Sequence, residues 1–160
     1  VAGMTRPEVE LGGTNVVAKI VLYDPELDVA VLAVDDTAQP HLRFDETAKS
    51  RDDIAVVGYP QDGPYDAKAG RIRNEQRLRS PDIYGDGAVI RQVFSLRGTI
   101  LPGNSGGPIL TEQGQVAGVV FAASVSDEAT GYALTAEQVR ESAEAGAAAS
   151  TPVATGDCID

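Results

Sequence analysis

Tryptophan is absent from these 160 residues, and cysteine, histidine and methionine occur once each. One Cys and one His cannot make a recognisable zinc set. Asp35-Asp36 and Asp52-Asp53 are scattered turn acids without calcium-loop spacing, so neither a metal nor another cofactor is expected. No apolar run approaches the ~18 residues of a membrane span, and no signal peptide is visible. Basic residues are outnumbered 13 to 24, for a net charge of −11, which repels phosphate backbones and anionic lipid. Nucleic-acid partners and direct membrane contact are therefore not expected. The local exception, Arg71, Arg73, Arg77 and Arg79, alternates along one stretch and reads as a solvated strand face. A lone cysteine, Cys158, leaves either a free thiol or a partner outside these residues. A lost partner would fit an oxidising, extracytoplasmic compartment.

What is present is β-forming sequence with dense punctuation: Gly 17, Pro 9 and an apolar fraction of 42%. Strands are expected over 16–23, 29–34, 54–57, 69–79, 89–96, 108–111, 116–122 and 131–134. A long loop is expected over 80–87. Alternation, branched side chains and turn signals at this frequency indicate an all-β sandwich or barrel. Thr135-Ala136-Glu137-Gln138 is a capping box, and the Ala-rich run to Ala149 predicts one C-terminal helix. The expected division is 1–60 as a partial first barrel, 61–70 as linker and 71–134 as second barrel. The helix then covers 135–149 and a loose tail 150–160.

The segment richest in chemistry is Gly103-Asn104-Ser105-Gly106-Gly107-Pro108. A serine hydroxyl is a poor nucleophile unless main-chain N–H groups converge on the oxyanion it generates, in backbone shapes that glycine adopts cheaply. Gly103 and Ser105 are placed to supply those donors. The run also contains the Gly-x-Ser-x-Gly elbow of α/β-hydrolases. That elbow leads from a strand into a helix, however, and needs a histidine after the serine. Here a turn at 112–115 and a strand follow, and no histidine lies beyond Ser105.

The hexapeptide resembles the nucleophile motif of trypsin/chymotrypsin-like serine proteases. The resemblance extends to Asp24-Pro25-Glu26-Leu27-Asp28-Val29-Ala30-Val31-Leu32, Gly58-Tyr59-Pro60, Val116-Ala117-Gly118-Val119-Val120 and Gly131-Tyr132-Ala133-Leu134. Asn104 in place of Asp is closer to the HtrA/Deg branch. Arg79-Ser80-Pro81-Asp82-Ile83-Tyr84-Gly85-Asp86-Gly87 is similar to the membrane-anchored periplasmic acid-resistance proteases of mycobacteria and other actinobacteria. The resemblance implies two six-stranded-type β-barrels, the first incomplete here, and a serine endopeptidase with Asp28 and Ser105 as catalytic residues. It implies an oxyanion hole from Gly103 and Ser105. It also implies a specificity pocket with Thr99 at its base, Val120, Phe121, Ala122 and Ala123 along a wall, and Gly131 leaving it open. With no acid at Thr99, an uncharged, apolar substrate side chain is expected there.

The only histidine, His41, follows Asp28, whereas the family order is His, Asp, Ser. Val1-Ala2-Gly3 looks like the tail of the family's Thr-Ala-His motif. The base is therefore expected upstream of residue 1, and the 160 residues are expected to be inactive alone. The expected partner is a protein or peptide substrate, and exposed strand edges allow self-association. The resemblance further implies a periplasmic domain tethered to the membrane. Two other readings compete: a non-catalytic peptide-binding module, and a tethered sensor on the same scaffold.

Overall fold

The computed structural model describes residues 1–35 and 40–159, so the turn reading of Asp36 lies outside the described residues. The strands are β1 (Glu8–Leu11), β2 (Thr14–Val17), β3 (Lys19–Asp24), β4 (Val29–Ala33), β5 (Asp53–Gly58), β6 (Asp66–Ser80), β7 (Val89–Arg97), β8 (Pro108–Leu110), β9 (Val116–Ala123) and β10 (Thr130–Thr135); one helix, α1 (Ala136–Ala148), follows. The chain divides into two compact units. One comprises residues 41–79 and 90–140, the other residues 1–40, 80–89 and 141–160.

In the first of these, six strands close into a barrel in the order β10-β7-β6-β5-β8-β9. Alternation aims Ile54, Val56, Ile72, Phe94, Leu96, Ile109 and Val120 into one apolar cluster. Arg71, Arg73, Arg77 and Arg79 are all exposed on β6, and the first two pair with Asp53 and Asp127, so the arginine stripe is a solvated face. Of the expected capping box the threonine half forms, with Gln138 N–H donating to Thr135 Oγ1 at 3.2 Å, while Gln138 Oε1 accepts instead from Gln92 N–H at 2.9 Å.

Two expected boundaries move. β5, expected in the first barrel, pairs with β6 from Asp53↔Arg71 to Gly58↔Asp66 and with β8 on its other edge, so it belongs to the closed barrel. The expected linker over 61–70 is a tight turn at Pro60–Asp62 followed by strand from Asp66. Its polar residues read as linker because half of an edge-to-edge barrel strand faces water.

The other unit holds two separate hairpins, β1-β2 and β3-β4. The single strand expected over 16–23 is broken at Ala18, whose N–H turns to the Pro7 carbonyl at 2.9 Å. The tail is not loose. Val153 N–H bonds Ile20 O at 2.8 Å, Gly3 N–H bonds Thr155 O, and Thr155 Oγ1 bonds Met4 O. The loop over 80–87 is organised by Asp82, whose Oδ1 accepts from the N–H groups of Tyr84 and Asp86, both at 2.9 Å. No described helix is long and apolar enough to cross a membrane.

Candidate active site

The loop carrying Ser105 is the entrance to β8, which has β5 on one edge and β9 on the other. Asn104 is the buried organiser of this loop. Its N–H bonds Leu101 O, its Oδ1 accepts from Leu101 N–H, and its carbonyl accepts from Gly107 N–H, each at 2.9 Å. Gly106 N–H reaches Val120 O at 2.8 Å, and Val120 N–H returns to Gly107 O at 2.9 Å. These bonds use the amides of 101, 104, 106 and 107. Among the described residues the amides of Gly103 and Ser105 donate to nothing within the chain. Ser105 itself is exposed between them.

Two glycines are required by space as well as by conformation. Gly103 has φ +92°, and a Cβ there would lie 2.5 Å from Tyr59 O. At Gly107 a Cβ would lie 2.4 Å from Val57 O. Both contacts are shorter than any real Cβ makes, and the obstruction in each case is backbone. The loop is thus pressed against the end of β5 so closely that any side chain would displace it.

Thr99 is exposed just beyond β7. Val120 is 1% exposed in the barrel core, and both its backbone groups are engaged by the serine loop. Phe121 is the extra residue of a β-bulge, because β9 pairs with β10 through Ala122↔Tyr132 and then Val120↔Ala133. Its ring lies 6.0 Å from the guanidinium of the buried Arg91. Pairing of β8 with β9 ends at Pro108↔Val119, so on that side no strand pairs with Phe121, Ala122 or Ala123 among the described residues. Gly131 does not face open space. A Cβ there would meet Ile100 Cγ1 at 2.1 Å, so the buried Ile100 fills the room that glycine leaves. Sequence reasoning missed Ile100 and the organising role of Asn104. The pairing of a glycine with a bulky residue distant in sequence leaves no local signal.

Asp28 closes the β3-β4 hairpin, exposed and with φ +60°, a left-handed conformation that aspartate tolerates better than most residues. The turn is held by Asp24, whose Oδ1 accepts from Glu26 N–H at 2.9 Å and Leu27 N–H at 3.0 Å. Beside it, the Tyr23 hydroxyl bonds that of Tyr84 at 2.9 Å. Desolvation, that hydrogen bond and the charges of Tyr84, Asp28 and Asp82 push the Tyr23 phenol well above its usual range. Asp28 and Ser105 belong to different units. His41 and Cys158 are both exposed.

The profile of the trypsin-like peptidase domain matches residues 2–119. The serine protease Rv3671c of Mycobacterium tuberculosis is 44% identical over 99% of this chain, which spans 40% of that relative's length. The crystal structure of the active form of the Rv3671c protease superposes on all of this chain and 71% of its own, with a TM-score of 0.95 and 44% identity. An HtrA-type protease, AlgW, solved with a decapeptide, superposes over 91% of this chain and 45% of its own, at 25% identity and a TM-score of 0.79. With a serine loop of this shape on a six-stranded barrel and a family profile covering most of its length, the chain belongs to the trypsin-like peptidase domain family.

Proposed function

We propose that this chain is the greater part of a serine endopeptidase domain, in which Ser105 Oγ attacks the scissile carbonyl. The observation that carries this reading is the pair of amides, Gly103 and Ser105, left without internal acceptors beside an exposed serine. Every neighbouring amide is tied down, so these two N–H groups are held in place before substrate arrives. Preorganised donors of this kind stabilise the tetrahedral oxyanion, and removing one costs about 2.7–4 kcal/mol of barrier. Asp28 would orient the imidazole of the base and stabilise its imidazolium. The hairpins β1–β4 would then be part of a first barrel.

His41 is exposed and follows Asp28 in sequence, so the base is supplied from outside these residues and the 160-residue chain alone does not turn over. The substrate is a protein or peptide lying along the unpaired edge at Phe121–Ala123. Ile100, wedged over Gly131, makes the specificity pocket shallow, and Thr99 brings no charge to it. The preferred side chain is small and apolar. The loop over 80–87 and the lone Cys158 support an extracytoplasmic, membrane-tethered protein acting in acid resistance.

The test is hydrolysis of a casein-type substrate by the full-length protein and by its Ser105→Ala variant. Serine-dependent turnover is expected, and cleavage that survives the substitution overturns the reading. A chain that binds peptides yet has no turnover at full length would be the peptide-binding module that the single, misplaced histidine favours. A peptide library cut mainly after Arg would overturn the pocket assignment.

A further inference from the structure

The loop over 80–87 meets two distant parts of its own unit. Ile83 N–H donates to Pro25 O at 3.3 Å, inside the turn that Asp28 closes. One residue on, the Tyr84 hydroxyl lies 2.9 Å from that of Tyr23, near the end of β3. The same oxygen lies 3.3 Å from the Thr155 carbonyl and 3.4 Å from that of Asp157, in the C-terminal tail. Carbonyls only accept, so the Tyr84 proton goes to the tail and Tyr23 donates to Tyr84. Gly156, between the two carbonyls, has φ +64°, and a Cβ there would collide with the Tyr84 hydroxyl. The bend of the tail is therefore fitted to this one oxygen.

The Asp28 turn needs such an anchor. Its internal bonds, from Glu26 and Leu27 N–H to Asp24, fix its shape but not its place. β3 and β4 form a two-stranded sheet, which is marginal by itself. The bonds from Ile83 and Tyr84 reach this hairpin at Pro25 and Tyr23, on the strand end and turn that lead into Asp28. Besides desolvation and the Tyr84 hydroxyl, the charges of Asp28 and Asp82 push the Tyr23 phenol up, so both carboxylates lie near enough to act on the hydroxyl pair.

We infer that Tyr84 is a positioning residue for Asp28: with the Ile83 amide beside it, its hydroxyl clamps the aspartate turn to the C-terminal tail. This inference rests on the reading of Asp28 as the partner of the base and of Ser105 as the nucleophile. It adds to that reading a residue that acts through the turn.

The test is Tyr84→Phe in the full-length protein, which removes the hydroxyl and keeps the ring. With a casein-type substrate, kcat is expected to fall about tenfold and KM to stay unchanged. The pH profile of kcat/KM separates positioning from a loss of folded protein. A carboxylate beside the imidazolium raises the pKa of the base, so displacing it should move the acid limb to lower pH, by about half a pH unit. Fewer folded molecules would lower kcat and leave the limb in place. Gly156→Ala should act in the same direction by crowding the hydroxyl, and should lower kcat no further in the Tyr84→Phe background. Amide exchange reads the clamp without turnover: Glu26 and Leu27 should exchange about tenfold faster in Tyr84→Phe, with β7 unchanged. An acid limb unmoved by Tyr84→Phe, or exchange at the turn that matches the parent or rises equally in β7, overturns the inference. Turnover that survives Asp28→Asn sinks the reading of Asp28 and the inference with it. Absence of serine-dependent cleavage in the parent would instead sink the peptidase reading, while faster exchange confined to the turn would still support the clamp.

Discussion

In the unit that contains Ser105, strands close on one another all the way round, and the deepest large side chains of the described residues, Ile72, Val93, Leu96, Ile109, Val120 and Leu134, all belong to it. In the unit that contains Asp28, β1 pairs with β2 and β3 with β4, and every residue of β4 is half-buried. Isolated hairpins are marginal in water, while a closed barrel satisfies every edge. The contrast matches the two tasks. In the proposed mechanism two main-chain amides beside the nucleophile must be held to a fraction of an ångström, and the barrel holds the serine loop through backbone bonds to β9 and backbone contacts with β5. The aspartate turn is ordered locally instead, by the carboxylate of Asp24.

Glycines with left-handed backbone in the two units give the largest expected difference. Gly103→Ala places a Cβ 2.5 Å from Tyr59 O and should lower kcat of the full-length protein by 10²–10³-fold, as for loss of an oxyanion donor. Gly12→Ala, also at positive φ (+59°) but with nothing within 4 Å, should leave kcat unchanged in the same assay. Core truncation comes next. Ile109→Ala, from full burial in the barrel, should cost about 2–5 kcal/mol in urea unfolding, and Leu32→Ala in β4 less than about 1.5 kcal/mol. Similar losses at both sites would erase the contrast between the units. Amide exchange is a third check: amides in β7 and β10 should exchange orders of magnitude more slowly than those in β1 and β2.

The smallest effects concern pH, and they have opposite signs in the two units. In the barrel, Asp127 is held below its usual carboxylate range by its hydrogen bonds from Thr130 and Ala129 and by the nearby Arg73, and Asp53 by Arg71. A lowered folded pKa contributes stability that is present above about pH 4 and is lost as pH falls further. Both carboxylates are exposed, so the loss should be slight and should shrink in salt. In the other unit the raised Tyr23 phenol works the other way: its contribution is complete below about pH 10 and lost as pH rises above that. Ultraviolet titration of Tyr84→Phe should show Tyr23 ionising at lower pH than in the parent, and the absence of tryptophan keeps that signal clean. An unchanged titration would mean the hydroxyl pair does not restrain Tyr23.

Much of the barrel was readable because half-buried strands alternate and their turns carry Gly, Pro and Asp. The reading failed where polarity misled it. Asp66 and Lys68 look like linker, yet they open β6 on the half-buried face that Ile72 shares, paired with each other at 3.4 Å. It failed again at the tail, where Thr155 is buried by contacts with residues 3 and 4, far away in sequence.

By itself the sequence determined which chemistry was on offer: a serine among glycines, an aspartate opening a strand, one histidine in the wrong order, and a helix that begins at a capping box. Those are local properties, set by what each residue can donate, accept or adopt. Only the tertiary structure decided that Asn104 spends its side chain holding the serine loop, that Val120 faces the core, and that Ile100 occupies the space before Gly131. Each depends on two segments meeting at van der Waals distance. Packing of that kind arises from closure of the barrel, and one-dimensional pattern carries no record of it.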